Sequence, residues 1–374
     1  MDVRTEDLLY ASFSAIKSKP KSYSNSTYLW HISKEVADLN EKIVSRTFVA
    51  DGNYAFIILV PKPREVFATG PKTRTIHHYI EKRLRPLVEK HLSEAVCNNR
   101  VGYGTKYAIN RVRRLIKEKH PDAWIGKIDI QGYFPSALWD IAYSRLKSII
   151  LSEYTGKDKL DLLYLLHQCI YSDPASNAIC EVPEIMWTKY IDPEKSLFNQ
   201  PYGKGAAIGF LVWQLAMTYY LSDIDHWIEN KYQRVGYTRF VDDLVFVGPR
   251  EDIKNLFRGL RQKLVSLGLK INEKKTYLQP KYHGLEFLGY HIKKSRIHTN
   301  RKTLGRVRKA IDAYNELVDK ERAADSFCCT CNSYLGLINT KEGQELISSI
   351  DSSWTLYVEI YKNKVVWKHQ KEEY

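Results

Sequence analysis

Phe240-Val241-Asp242-Asp243 sets two adjacent carboxylates between the apolar-rich runs Val235 to Phe240 and Leu244 to Val247. That pattern predicts strand, turn, strand, with both acids at the tip of a hairpin. Carboxylates so placed suit phosphoryl chemistry run by two divalent cations, which activate an attacking hydroxyl and stabilise the leaving oxygen. A third acid is then wanted. Asp129 supplies it, in Trp124-Ile125-Gly126-Lys127-Ile128-Asp129-Ile130, a run that reads as a buried strand carrying one charge its apolar surroundings would not otherwise tolerate. An isolated Asp-Asp is usually an ordinary Asx turn, so the surrounding pattern has to decide.

The elements around these acids follow from periodicity and turn residues. Residues 1–48 read as largely helical, with a polar interruption from Lys19 to Ser26. Strands are predicted over Tyr54 to Val60 and Glu65 to Ala68, joined by Pro61-Lys62-Pro63-Arg64 as a hairpin with a basic tip. Helical spacing returns over Thr75 to His91 and Thr105 to Lys119, then again after the Asp129 strand as far as about Gln168. Residues 171–204, rich in Pro, Asn, Asp and Ser, read as an irregular excursion. One long apolar helix is expected over Ala206 to Glu229, leading into the acidic hairpin. A helix from Glu251 to Leu267, strands around Lys270 to Leu278 and Glu286 to Ile292, and three helical segments complete the chain. Unaided, Phe287-Leu288-Gly289-Tyr290 reads as a strand with a bulge.

At 374 residues the chain has room for two or three subdomains, and 44% hydrophobic with 27% charged residues is the composition of a folded protein. Lys and Arg outnumber Asp and Glu by 57 to 43, a net charge of +14, as expected of a surface that meets polyphosphate. Positive residues cluster: Lys106, Arg111, Arg113, Arg114, Lys117 and Lys119 in one predicted helix, and Arg301, Lys302, Arg306, Arg308 and Lys309 in another. Either cluster taken alone is equally a solvated helix face. The first residues have neither a basic start nor an apolar core, so no signal peptide is visible. The longest apolar stretch, Ala206 to Leu221, is about 16 residues and falls short of the roughly 20 that would span a bilayer. A cytoplasmic protein with free thiols, and no membrane partner, is expected. Cys328-Cys329-Thr330-Cys331 holds one CxxC spacing, but no second pair and no suitably spaced His completes a zinc site.

Strand, helix, hairpin, helix, strand is the order of a polymerase palm, and here the residues resemble reverse transcriptases, within them the bacterial and phage type of diversity-generating retroelements. The resemblance runs from about Glu41 to Leu337. Lys62-Pro63-Arg64-Glu65-Val66-Phe67-Ala68 with Lys72-Thr73-Arg74-Thr75-Ile76-His77-His78 looks like the family's fingers motif, with Thr73 replacing the usual Asp. Arg100-Val101-Gly102-Tyr103-Gly104-Thr105 is similar to its turn before a basic helix. Asp129 to Phe134 matches the first palm motif, and Phe240 to Asp243 matches Tyr-x-Asp-Asp with Phe for Tyr. Gly205 to Gln214 is similar to Ile-Gly-x-x-x-Ser-Gln, with Trp213 for Ser, and Asp225-His226 recurs there too. Asn332-Ser333-Tyr334-Leu335-Gly336 looks like the thumb motif.

The resemblance implies an α+β right-hand polymerase with fingers, a palm built on an antiparallel sheet and a helical thumb. Its parts would be an N-terminal helical extension (1–48), fingers (49–120), palm (121–292, with the irregular insertion near 171–204) and a helical thumb with a basic tail (293–374). It implies a metal set of Asp129, Ile130, Asp242 and Asp243 holding two Mg²⁺, with Mn²⁺ as a substitute. Phe134 would be the ring under the incoming sugar, a role Tyr133 could share or exchange. Lys62, Arg64 and Arg74 are assigned to the triphosphate and templating strand, since guanidinium forks bind phosphate bidentately. Gly209 would let backbone approach the nascent base pair, and Gln214 would orient its helix or touch template. One of Lys274 and Lys275 would protonate departing pyrophosphate, while Gly289 and Tyr290 look like the primer grip. With Lys106, Arg111, Arg113, Arg114, Arg306 and Arg308 on nucleic acid, the expected partners are template RNA, primer, cDNA, deoxynucleoside triphosphates and a small basic accessory protein, in a bacterial or phage-infected cell. The expected function is error-prone cDNA synthesis; the rivals are an antiphage-defence reverse transcriptase of the abortive-infection kind and a catalytically silent RNA-binding scaffold.

Overall fold

The computed structural model describes residues 5–17, 22–60, 62–317, 320–335, 356–361 and 364–369. The chain opens with α1 (Thr5–Ile16), α2 (Tyr23–Trp30) and α3 (Ile32–Val44). Leu8, Ala11, Ala15 and Ile16, then Val36, Leu39 and Ile43, recur at helical spacing and are the buried positions of α1 and α3. β1 (Asn53–Ile58) and β2 (Arg64–Thr69) pair antiparallel from Asn53↔Thr69 to Ile58↔Arg64. α4 (Pro71–His91) starts behind Gly70 with Pro71 in its first turn, where the missing N–H costs nothing. Asp51 secures that start: its Oδ2 accepts the Thr73 amide at 3.2 Å, and Thr73 Oγ1 accepts the Asp51 amide at 2.7 Å.

α5 (Thr105–Glu118), β3 (Trp124–Gln131), α6 (Trp139–Glu153) and α7 (Lys159–Ile170) follow. The 171–204 stretch is irregular for most of its length but holds the short β4 (Ile179–Cys180), parallel to β1, and α8 (Glu184–Tyr190). It is pinned by a carboxylate: Glu65, buried on β2, accepts from Trp187 Nε1 at 2.9 Å, Ser196 Oγ at 2.6 Å and the Leu197 amide at 2.7 Å. Three donors on one buried acid offset its desolvation.

The single helix expected over Ala206 to Glu229 is instead two, α9 (Leu211–Tyr219) and α10 (Ser222–Lys231), behind a non-helical lead. Gly209 explains the lead: its φ is +115°, and a Cβ there would stand 2.1 Å from the Phe67 carbonyl oxygen. Next to it, the Phe67 amide donates to the Ile208 carbonyl at 2.9 Å, so the segment lies against β2.

β5 (Gly236–Phe240), β6 (Asp243–Gly248), α11 (Arg250–Val265), β7 (Lys270–Ile271) and β8 (Tyr277–Pro280) complete a five-stranded sheet ordered β5-β6-β3-β7, with β8 also against β3. Then come β9 (Leu285–Phe287), β10 (Tyr290–Ile292), β11 (Ile297–Thr299), α12 (Arg301–Asn315), α13 (Lys320–Leu335), β12 (Leu356–Tyr361) and β13 (Lys364–His369). The bulged strand expected near Gly289 is a hairpin: Phe287 pairs Tyr290, and Leu288 and Gly289 both take positive φ (49° and 86°), as a tight primed turn requires. The C-terminal part is not helical throughout, because β12 and β13 form an antiparallel ribbon. Gly336, the end of the expected thumb motif, lies outside the described residues.

The chain divides into two compact units: 1–58, 63–108 and 126–278; and 59–62, 109–125 and 279–374. The first centres on α4, which buries Ile76, His77, Tyr79, Ile80, Leu84 and Val88, and on the five-stranded sheet. In the second, Val307, Ile311, Tyr314, Phe327, Cys331 and Tyr334 form the core of α12 and α13, with Tyr314 and Phe327 stacked at 3.9 Å. The six cysteines are free thiols. No helix among the described residues is long and apolar enough to cross a membrane.

Candidate active site

Leu244, Val245, Phe246 and Val247 of β6 are all fully buried, so both faces of this strand are covered, as its near-continuous apolar run requires. Phe240 pairs Asp243, leaving Val241 and Asp242 as the turn. β3 lies between β6 and β7 and brings in the third acid. The Ile130 amide donates to the Asp242 carbonyl at 3.1 Å, and the Asn272 amide to the Asp129 carbonyl at 2.8 Å. Asp129 and the adjacent pair Asp242-Asp243, distant in sequence, therefore meet at the ends of neighbouring strands, within the first unit.

Two lysines and an asparagine complete the cluster. Lys275 Nζ reaches both Asp129 carboxylate oxygens, at 3.0 and 2.9 Å, and Asn272 Nδ2 donates to Oδ2 at 3.0 Å. Lys127 Nζ stands 3.1 Å from Asp243 Oδ1. Asp242 has no ion pair among the described residues. Its half-buried carboxyl is pushed up to about 6, first by burial and then by the charges of Asp243 and Asp129. All-oxygen carboxylate donors gathered in this way suit a hard divalent cation. Among the described residues no three acid, His or Cys side chains already converge as metal ligands, for Asp129 and Asp243 are turned onto their lysines. The donor chemistry fits two-cation binding with the cations taking the place of the lysine ammonium groups.

Of the expected lysines, it is Lys275 that sits on Asp129; Lys274 shares its exposed 3₁₀ turn and has no ion pair to the acids. Phe134 and Tyr133 stand edge to face at 5.8 Å. Tyr133 is buried and donates its hydroxyl to the Met217 carbonyl at 2.6 Å, whereas Phe134 is partly exposed. Gln214 is half-buried near the start of α9, where its carbonyl accepts from Thr218 Oγ1 at 2.8 Å.

Arg64 is exposed at the start of β2, and Lys62 is exposed in the second unit. Arg74 is half-buried: Nη2 donates to Asn25 Oδ1, a neutral partner, and Nε is buried without one. Burial lowers its pKa, against a smaller opposing pull from Asp51. Lys106 and Arg114 are exposed on α5 and Arg111 is half-exposed, while Arg113 donates to the Ser295 carbonyl at 3.3 Å within the second unit. There too the Gly289 carbonyl accepts the Asn300 amide at 2.9 Å, Tyr290 is half-buried, and Arg306 and Arg308 are exposed on α12.

Sequence reasoning missed Lys127 and Asn272. Lys127 was legible in principle: two residues before Asp129 on a strand, it shares that residue's face. Asn272 had no local signal, because its place beside Asp129 depends on β7 pairing with β3 through Ile130↔Ile271.

The profile of the family described as reverse transcriptase (RNA-dependent DNA polymerase) matches residues 62–292, a span that takes in every residue of this cluster. A putative COX1/OXI3 intron 1 protein of Saccharomyces cerevisiae is 22% identical over 331 residues, covering 78% of this chain and 39% of that protein. The chain therefore spans well under half the length of this curated relative. Among solved structures, apo telomerase from Candida tropicalis is similar at a TM-score of 0.49 with 12% identity, over 80% of this chain and 56% of that one. Telomerase from Candida albicans, in complex with a fragment of telomeric RNA, is similar at 0.45 with 13% identity, over 86% and 60%. Likeness at that level adds nothing to the family match.

Proposed function

Because the chain belongs to the reverse transcriptase family, with its α+β right-hand polymerase fold, we propose that it copies an RNA template into DNA from a primer hydroxyl, with Asp129, Asp242 and Asp243 as the catalytic acids. The observation that carries the proposal is the meeting of these acids across β3 and the β5–β6 turn, joined by the bond from the Ile130 amide to the Asp242 carbonyl. An RNA-binding scaffold has no need to gather three carboxylates and raise one of them.

Reverse transcriptases work with divalent cations, here Mg²⁺ or Mn²⁺, which would supply charge neutralisation and an activated primer hydroxyl. Asp129, Asp242 and the main chain of Ile130 would hold them, with Asp243 completing the set. Lys275, released from Asp129, would then be the ammonium nearest the departing pyrophosphate and would give it a proton. Phe134 would lie under the incoming sugar and exclude a 2′-hydroxyl by contact. Arg74, desolvated and matched to a neutral amide, is a cation suited to a triphosphate, and Lys62 and Arg64 are assigned to the triphosphate and templating strand as well. Gly209 would leave room for the nascent pair, and Gln214 would orient α9. Residues 1–48, 49–120, 121–292 and 293–374 would serve as extension, fingers, palm and thumb. Gly289 and Tyr290 would hold the primer, and Lys106, Arg111, Arg114, Arg306 and Arg308 the nucleic-acid backbone.

The Ile208-Gly209 to Gln214 segment supports the diversity-generating type, with a structured template RNA and a small basic accessory protein as partners. The test has two stages. Purified protein given RNA template, DNA primer, deoxynucleotides and Mg²⁺ should extend the primer, and no extension with any template would overturn the activity. With cognate RNA and accessory protein, substitutions should concentrate opposite template adenines; faithful copying of adenine, or template-independent repeats, would favour the defence role instead.

A further inference from the structure

Val241, between Phe240 and Asp242, has φ +59°, a left-handed conformation that a β-branched residue adopts only when its surroundings impose it. Both polar groups of its backbone are held by buried side chains. Asn98 Oδ1 accepts the Val241 amide at 2.9 Å, and Arg239 Nη1 donates to the Val241 carbonyl at 3.3 Å.

Each holder is braced in turn. Asn98 Nδ2 donates to Thr218 Oγ1 at 3.2 Å, and that hydroxyl donates to the Gln214 carbonyl at 2.8 Å. Arg239 spends Nε and Nη2 on Asp225, at 2.9 and 2.6 Å, and Nη2 also reaches the Thr218 carbonyl at 2.9 Å. Tyr237 donates to Asp225 Oδ1 at 2.7 Å. Main-chain bonds lock the two segments together, from Cys97 to the Arg239 carbonyl at 2.9 Å and from Arg239 to the Ala95 carbonyl at 2.8 Å. Arg239 and Asp225 are both 0% exposed, and Asn98 is 3% exposed.

A fully buried ion pair is a poor source of net stability, because desolvating two charges cancels much of their attraction; what it can specify is geometry. Here the geometry it specifies is that of the residue preceding two carboxylates. We propose that Asn98 and Arg239 are positioning residues that hold Val241 in its left-handed conformation and so aim Asp242 and Asp243, with Asp225 and Thr218 as their braces. The proposal rests on the reading of those acids as catalytic. A Val241 relaxed to negative φ would swing the following peptide and carry both carboxylates out of register with Asp129.

The test uses the full chain and four variants: Asn98→Ala, Asn98→Ala with Val241→Gly, Arg239→Lys, and Asp242→Asn as the control. Asn98→Ala should raise amide hydrogen exchange in the peptide covering Val241 to Asp243 by tenfold or more while the rest of β5 and β6 stays protected. It should lower primer extension tenfold or more and shift its half-saturating Mg²⁺ several-fold upward, with RNA binding unchanged. Adding Val241→Gly should recover most of the lost rate, because glycine takes positive φ without being held. Arg239→Lys, which keeps the charge but loses the fork, should behave like Asn98→Ala. Unchanged exchange at the tip, a rise spread evenly over the sheet, or no recovery by Val241→Gly would overturn the proposal. Should Asn98→Ala fail to fold, Thr218→Val leaves Asn98 in place, removes the hydroxyl that braces it together with that hydroxyl's bond from Asn99, and takes the same measurements. Full activity in Asp242→Asn would sink the catalytic reading itself, whereas an inactive control beside a wild-type-like Asn98→Ala sinks the positioning role alone.

Discussion

Lys275 Nζ lies 3.0 and 2.9 Å from the two carboxylate oxygens of Asp129. Its side chain is 58% exposed while that of Asp129 is 10% exposed, so a surface cation neutralises a sequestered acid. The partner that can leave is the lysine, which makes it available for another task once other positive charge reaches the acid.

This pairing separates two adjacent lysines. Lys275→Ala should slow primer extension by about ten- to a hundred-fold, toward the lower end of what a general acid contributes. Lys274→Ala should change it less than about threefold, well under 1 kcal/mol of barrier. Single-turnover extension rates for the two variants decide it, and an equal loss in both would remove the assignment to Lys275.

The acids themselves give the sharpest loss. Asp129→Asn and Asp242→Asn should each reduce extension by about a thousandfold or more, roughly 4 kcal/mol of barrier, with RNA affinity held within a few-fold. Gel-shift and extension assays on the same preparations test this. Persistent wild-type rates, with contamination excluded, would defeat the role given to these residues.

Neighbouring aromatics should part in the same way. Phe134→Ala should raise ribonucleotide use relative to deoxynucleotide use, because it removes the partly exposed ring. Tyr133→Phe should leave that ratio alone and cost stability of about 1 kcal/mol by deleting the bond to the Met217 carbonyl. Competition between dNTP and rNTP, with a urea melt of each variant, is the measurement, and a ratio altered only at Tyr133 would reverse the assignment.

His77 is 3% exposed, packed against Phe210 in the first unit, and burial depresses its pKa to about 3. The folded protein therefore keeps it neutral where the unfolded chain, near 6.5, takes up a proton. Its contribution to stability is fully present above pH 6.5 and is lost progressively as pH falls from there toward 3, with a slope approaching about 1.4 kcal/mol per pH unit. His77→Phe should flatten denaturation midpoints between pH 6.5 and 4; an unchanged slope would mean that other groups carry the acid sensitivity.

RNA affinity should fall steeply with salt, by a log-log slope of about −0.7 to −0.9 for each phosphate neutralised. Arg111→Gln and Arg114→Gln should flatten that slope by about one unit each if α5 meets the backbone. Arg113→Gln should flatten it less, since that guanidinium is engaged on the Ser295 carbonyl. Three equal changes would show that this bond yields to phosphate.

Local patterning determined a great deal. The acidic hairpin, the Asp129 strand, the basic β1–β2 turn and most helices were legible, because strand alternation, turn residues and helical spacing act over a few neighbouring positions. Tertiary structure decided whatever depends on register or distant approach. Which lysine meets Asp129 and which aromatic enters the core depend on how the 3₁₀ turn Glu273–Lys275 and the turn that follows β3 pack, which short-range patterning does not set. The expected helix does not start at Ala206 because Gly209 takes φ +115° and the Ile208 carbonyl is spent on the Phe67 amide of β2. Val241 is bonded directly by Asn98, 143 residues away, and by Arg239, which are braced in turn by Thr218 and Asp225 on α9 and α10. Its donors and acceptors become partners only after the sheet has formed, since burial makes an unmade polar contact costly and so selects the arrangement that satisfies them all.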